Sequence, residues 1–248
     1  MKLIRLIAAL LLTLSLCSCV FADPLVQTED LSGTLCWPAD ADPADAVYVY
    51  TYRYPQVLGE EEAVLAINAH FAYEITDAEI YRVPMFGEMV PEGEREETDV
   101  SYTITCSSDT YFSVLITTAD RYQGETFTIL SAQVFSRNTD KAGSIITLPY
   151  LLGILEGTEA DAWMLQRQKE KADACVRDLV LERMEATPGQ WLDGVDSEYL
   201  SAIFYPEEDF YLDASGDPVF FVQPGMIAPE EEGPQLFPIP LEELLDEI

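Results

Sequence analysis

The run Val100-Ser101-Tyr102-Thr103-Ile104-Thr105-Cys106, then Ser107-Ser108-Asp109, then Thr110-Tyr111-Phe112-Ser113-Val114-Leu115-Ile116-Thr117-Thr118 decides the fold class. β-Branched and aromatic residues fill both flanks, and three turn-formers part them, so the run reads as two strands, 100–106 and 110–118, of one hairpin. The same texture continues in 125–136 and 144–148, with Gly124 and the stretch Asp140 to Gly143 as turns, which makes an antiparallel meander. Thr158 and Asp161 have capping-box spacing and open the longest helical pattern. Trp163, Met164, Ala172, Cys175, Val176, Leu179 and Met184 form its stripe, and Pro188-Gly189 stops it. Strands return at Phe210-Tyr211-Leu212 and Val219-Phe220-Phe221-Val222, joined by a turn over Asp213 to Asp217 with a glycine suited to positive φ. A short acidic helix, Leu241 to Ile248, ends the chain.

Upstream, Val47 to Tyr54 reads as a strand closed by Pro55, and Glu60-Glu61-Glu62 supplies negative charge to the start of a helix. That helix carries Val64, Ile67 and Phe71 at helical spacing through about Tyr73, and 84–99 reads as a loop. Strands, then helix, then strands give an α+β fold: an N-terminal strand-helix module over 46–99, followed over 100–248 by an antiparallel sheet with one long helix packed on it. Residues 23–45, rich in Asp, Pro and Ala, read as an acidic tether.

The chain of 248 residues holds 45 Asp plus Glu against 13 Lys plus Arg, a formal charge of −32. Phosphate affinity rests on Lys and Arg, so nucleic acid is excluded as a partner, and anionic membrane surfaces are disfavoured. With 48% hydrophobic and 11% aromatic residues the chain is nevertheless a folding one.

Met1 to Arg5 is a short basic segment, and Leu6 to Leu16 an apolar run too short to span a bilayer; residues 1–22 read as an export signal. Two cleavage sites compete. Leu16-Cys17-Ser18-Cys19 has the form of a lipobox, which would place a diacylglyceryl group on Cys19 and hold the protein on the outer face of the cytoplasmic membrane by a lipid anchor alone. Val20-Phe21-Ala22 before Asp23 suits ordinary signal peptidase and a secreted product. Losing Lys2 and Arg5 with the signal leaves 45 acids against 11 bases, a charge of −34.

Cys36, Cys106 and Cys175 remain in an oxidising compartment. Cys175 reads as a helix-face core residue, so Cys36–Cys106 is the pairing expected. His70 is the single histidine; no second His, no Ser-containing nucleophile elbow and no CxxC accompanies it, so metal and nucleophilic chemistry are disfavoured and a surface or capping role is expected. With 45 acids, carboxylate pairs arise by chance and are weak evidence for glycoside hydrolysis. Asn138 to Gly143 lacks an oxygen ligand at its fifth place and has Pro149 where a calcium loop needs Glu, so it reads as a turn.

Several passages resemble a known family. Tyr54-Pro55 followed by a helix bearing Ile67-Asn68 is similar to its "Tyr-Pro … Ile-Asn" opening, and Ser144 to Leu152 to its passage from strand to helix. The most specific passage is Phe210-Tyr211-Leu212-Asp213 … Gly216-Asp217-Pro218-Val219-Phe220-Phe221-Val222-Gln223-Pro224, then Ile227-Ala228-Pro229 … Gly233. Together these resemble the RsiV-like C-terminal domain, an extracytoplasmic domain of unknown general function found in a lysozyme-sensing anti-sigma factor and beside the catalytic domain of a peptidoglycan deacetylase. The resemblance covers roughly 46–248. It implies structural roles for Tyr54, Pro55, Asn68, Tyr211, Gly216, Gln223, Pro224, Ile227, Ala228, Pro229 and Gly233. Relatives carry a histidine in the central hairpin where this chain has Tyr122-Gln123-Gly124-Glu125-Thr126, and a Tyr-Glu where it has Gly225-Met226. The sigma-binding segment, the transmembrane helix and the deacetylase domain of those proteins have no counterpart here.

The expectation is a non-catalytic binding or sensor module of the bacterial cell envelope, with no catalytic residue, metal or cofactor, whose acidic surface captures a cationic protein such as lysozyme. The alternatives are a carboxylate-dependent cell-wall glycan hydrolase and an envelope structural protein without a soluble ligand.

Overall fold

The computed structural model describes residues 28–154 and 162–247. The export signal, Cys19, and the capping pair Thr158 and Asp161 lie outside the described residues.

Five strands lie side by side in chain order: β1 (Thr28–Trp37), β2 (Tyr48–Val57), β3 (Glu96–Ser107), β4 (Tyr111–Tyr122) and β5 (Glu125–Ser136). The meander β3-β4-β5 is antiparallel, as is β1 with β2, but β2 and β3 run parallel. A parallel pair needs a crossover that carries the chain back to its starting end. The crossover here is α1 (Glu62–Asp77), a π-turn (Ala78–Arg82) and α2 (Val83–Met89). The fold is α+β, with a mixed sheet.

Three expectations about the N-terminal half are corrected. The tether is not one over 28–37: Leu31, Gly33, Leu35 and Trp37 recur with period two and form β1, whose Leu35 and Trp37 pack against the core under the crossover. The loop expected over 84–99 shortens to Val90 to Arg95, because α2 accommodates Pro84 in its first turn and β3 begins at Glu96. The boundary between 46–99 and 100–248 also fails, since β3 crosses it and hydrogen-bonds β2 on one side and β4 on the other. Residues 144–148 form a bridge rather than a strand; Ile145 meets Phe135 and the chain turns at once into the one-turn helix α3 (Leu148–Leu151).

The face of the sheet under the crossover is sealed by Phe71, Phe112 and Phe135, all fully buried, together with Val64, Ile67 and Val114. A bulge between Ile104 and Cys106 reverses the facing of the chain. Ile104, opposite Val114, points to this core, whereas Cys106, opposite Ser113, points to the other one. The second core gathers α4 (Ala162–Ala186), α5 (Ser197–Ile203), the small antiparallel sheet β6 (Phe210–Leu212), β7 (Pro218–Val222) and β8 (Gln235–Pro238), and α6 (Leu241–Glu247). Ala172, Val176, Leu179, Val180 and Met184 are the buried stripe of α4; Trp163 and Met164, expected on it, are exposed. Among the described residues no helix is long and apolar enough to cross a membrane.

The expected Cys36–Cys106 bridge is absent, and both thiols are free, as is Cys175. Cys36 lies opposite Val49, Val49 lies opposite Glu97, and Cys106 is nine residues further along β3. At strand spacing that separation is roughly 30 Å, far beyond the ~7 Å a disulfide spans between Cα atoms.

Asp209, between α5 and β6, gives the second layer a pH dependence. Its Oδ2 accepts the Tyr205 N–H at 2.7 Å, but burial pushes its carboxyl up to about 6. The native state therefore binds this proton more tightly than the unfolded chain, and stability falls as pH rises from about 4 through 6. A rise of that size is worth at most ~3 kcal/mol, cut to about 1–2 kcal/mol by residual solvent screening. Asp209→Asn is expected to raise the urea midpoint at pH 7.5 and to leave it nearly unchanged at pH 4.

Candidate functional site

On β2, Tyr48, Tyr50, Tyr52 and Tyr54 occupy alternate positions and so share one face of the sheet. Tyr52 leans over Gly33 of β1, where no Cβ stands in its way. The other three are covered by the crossover; Tyr54 stacks on Phe71 at 5.4 Å and Tyr48 lies 6.0 Å from Phe86 of α2. They floor a cleft of about 350 Å³ that opens between α2, the π-turn and strands β3 to β5. Burial pushes the Tyr48 phenol up to about 12, and Tyr50 and Tyr54 also rise through burial, so all three stay protonated.

Register aligns the polar residues. Tyr50 faces Thr98, Thr98 faces Asp120, and Asp120 faces Phe127, one row across four strands. In that row the buried Thr98 hydroxyl donates to Asp120 Oδ1 at 2.5 Å and accepts from the Tyr48 hydroxyl at 2.7 Å. Four carboxylates, Glu74, Glu96, Glu97 and Asp120, line the cleft against two guanidiniums, Arg82 and Arg121.

The guanidiniums are already engaged. A π-turn stacks residues five apart, so Arg82 reaches Asp77 through Nε at 2.8 Å and Glu74 through a terminal nitrogen at 2.7 Å. Burial opposes its charge, yet these bonds prevail and raise its pKa. Arg121 lies 3.4 Å from Glu97, whose carboxyl is held below the usual range by hydrogen bonds from Arg95 and by both arginines. Glu96 and Asp120 have no ion-pair partner among the described residues. Burial pushes Glu96 up, and the neighbouring charges of Glu94 and Asp120 add to it. Two unneutralised carboxylates above a tyrosine floor attract a cation by charge and by ring quadrupole together.

The motif positions named from sequence mostly build the frame. Tyr54 alone lines the cleft. Asn68 lays its amide on Val57, accepting the N–H and donating to the C=O, both at 2.8 Å. Gln223 does the same to Leu130 on β5, at 2.9 and 2.8 Å. Pro55 is buried opposite Asp30, and Tyr211 is the middle residue of β6. Ile227 and Ala228 are buried, the Ile227 carbonyl accepting the Leu192 N–H. Pro224 follows the Gln223 clamp; Pro229 precedes a 3-10 turn over Glu230–Glu232, which Gly233 closes at φ +71. Gly216 takes φ +89 in the Asp213–Asp217 turn, where Asp213 Oδ1 accepts from Ser215 and Asp217. The Asn138 to Gly143 turn abuts α1: a Cβ on Gly143 would lie 2.3 Å from that of Ala66.

His70 caps no helix, and it is half-buried rather than fully on the surface. Its ring sits mid-helix, edge-on to Phe71 and Phe135 at 5.4 Å each, with Nε2 buried and unbonded. Among the described residues no group of three or more His, Cys, Asp or Glu could hold a metal ion. Sequence reading missed Glu96, Thr98 and Asp120, which lie on two strands and meet only through register. The period-two tyrosines were the visible signal for the floor.

No known protein family matches the chain by sequence, and no curated protein matches it. Its fold is similar to that of a DUF3298 family protein from Pseudomonas aeruginosa PAO1, at 13% identity and a TM-score of 0.53 over 90% of this chain and 93% of that one. A DUF3298 family member from Bacteroides fragilis aligns at 12% identity and a TM-score of 0.45, over 88% and 90%. At such identity the first likeness shows the fold alone.

Proposed function

We propose that the chain is a non-catalytic binding module of the bacterial cell envelope, exported by residues 1–22 and anchored through Cys19, whose cleft receives a cationic side chain of a protein ligand such as lysozyme. The observation that carries this reading is the pairing of Glu96 and Asp120, both without an ion-pair partner among the described residues, with the floor of Tyr48, Tyr50 and Tyr54. The volume suits one or two long side chains, and the charge of −34 left after loss of Lys2 and Arg5 (45 acids against 11 bases) steers a basic partner inward. The resemblance of Phe210 to Gly233 to the RsiV-like C-terminal domain supports an extracytoplasmic, ligand-sensing setting.

The test is a double variant, Glu96→Gln with Asp120→Asn. Both replacements keep the shape and leave the arginine clamps alone. Lysozyme is expected to bind it about tenfold more weakly at low ionic strength, or about 1.4 kcal/mol, with a urea midpoint at neutral pH that does not fall, because the replacements relieve the charge that burial and Asp120 oppose at Glu96. Unaltered affinity would contradict a cleft-centred contact.

A second reading, a glycan hydrolase, draws on the raised Glu96 carboxyl beside Asp120, an acid poised to protonate a leaving oxygen. It requires sugar release from purified sacculi that disappears with Glu96→Gln; absence of release removes it.

A further inference from the structure

We infer that the open edge of β5 takes up an extended cationic peptide segment of the partner as a sixth strand. This deepens the proposed function and rests on it, because it states how the same face holds a longer stretch of the ligand.

The inference begins with hydrogen-bond direction. Among the described residues β5 is the outer strand of the five, with β4 on its inner side and a single bridge from Phe135 to Ile145 on its outer one. Both backbone groups of Leu130 point outward, since the Gln223 amide binds its N–H and its C=O. In an antiparallel ladder the outward direction recurs every second residue, so Thr128 and Thr126 also turn their N–H and C=O to the outside. Further along, the Val134 C=O accepts from the Ile146 N–H, and Ser136 donates its N–H to the Ser144 C=O and accepts from the Gly143 N–H. Towards the hairpin, Thr126 and Thr128 have no such cover among the described residues. Among the described residues the edge is thus closed by an amide clamp and a bridge at one end and left open at the other.

The open stretch borders the cleft. Phe127 lies opposite Asp120 and Ile129 opposite Thr118, so their side chains share the cleft face. They are 42% and 50% exposed, a large fraction for two apolar residues on one strand. Such edges are ordinarily guarded by a charge, Pro or a bulge; Glu125 stands at the hairpin end, and Thr126 to Ile129 has none of these. A strand added here hydrogen-bonds Thr126 and Thr128, and every second side chain emerges on the cleft face beside Phe127 and Ile129, two strands (roughly 10 Å) from Asp120 and three from Glu96, so that a long cationic side chain reaches towards Asp120 across Phe127.

Charge selects the occupant. A second copy of this chain brings another −32 to the same edge and is repelled at low salt. An extended segment with Lys or Arg at alternate positions has its cations on the side of the unneutralised carboxylates.

The probe is acetyl-(Lys-Val)4-amide, compared with a fully backbone-N-methylated version of equal charge and side chains, titrated into the full chain at low ionic strength. The unmethylated peptide is expected to bind about tenfold more tightly. Thr128→Pro, which removes one outward donor and is tolerated on an edge, is expected to erase that difference and leave the methylated peptide unaffected. Equal affinity for the two peptides would overturn strand addition while leaving cation capture standing. Failure of both peptides where lysozyme still binds would overturn it too, and failure of lysozyme as well would overturn the proposed function. A dimer in sedimentation that Thr128→Pro dissolves would assign the edge to a second copy instead.

Discussion

Phe135→Ala is expected to lower stability by about 3–5 kcal/mol, the usual range for a large aromatic removed from a closed core. Phe135 is fully buried and its ring meets His70 at 5.4 Å, Phe71 at 5.7 Å and Phe112 at 6.4 Å. It joins α1, β4 and β5, and its backbone carries the bridge to Ile145. The surrounding rings come from different elements, so the cavity cannot collapse without moving α1 across the sheet. Urea unfolding followed by tryptophan fluorescence measures the loss. A cost below about 1 kcal/mol would mean that the crossover does not pack on the sheet at this point.

Gly87→Ala tests the same crossover where two effects oppose each other. In an exposed helix, alanine is better than glycine by ~1 kcal/mol. Gly87 is buried in α2 against Trp37 of β1, and a Cβ there would lie 2.2 to 2.5 Å from the Trp37 Cγ, Cδ1 and Cβ. Trp37 is a rigid indole, so α2 and β1 must part, and overpacking of this kind costs about 1–3 kcal/mol. The net effect is expected to be destabilising. Because α2 carries Phe86 and follows Arg82, the shift also reshapes the cleft wall, and lysozyme affinity should fall in parallel. A stabilised variant with unchanged binding would place α2 away from β1.

Much of this architecture is legible in the chain because its local signals agree with its packing. The meander from β3 to β5 follows from β-branched runs parted by Ser108-Asp109 and Gly124, and the α4 stripe from Ala172, Val176, Leu179 and Met184. Where legibility fails, a neighbour supplies the missing information. β1 looks like a tether because Asp30, Ser32 and Thr34 fill its other face, and only pairing with β2 makes it a strand. The parallel joint of β2 and β3 depends on a crossover whose second half, with Pro84 and Gly87, reads as a loop when Trp37 is not in view. The Cys36–Cys106 pairing fails for the same reason, as register alone sets the two thiols at opposite ends of the sheet. The alternation of Tyr48, Tyr50, Tyr52 and Tyr54 marks one face of a strand in the sequence, but not the cleft above it. Glu96 and Asp120 were indistinguishable from the other acids until register placed them beside it.

The most direct measurement is the association rate of the full chain with lysozyme at about 10 mM and about 150 mM ionic strength, across which the screening length shortens from ~30 Å to ~8 Å. An acidic cleft that captures a cation predicts binding at low salt and a fall of more than tenfold in association rate at the higher salt, with a smaller change in dissociation. No binding at low salt, or an association rate indifferent to salt, would contradict the account.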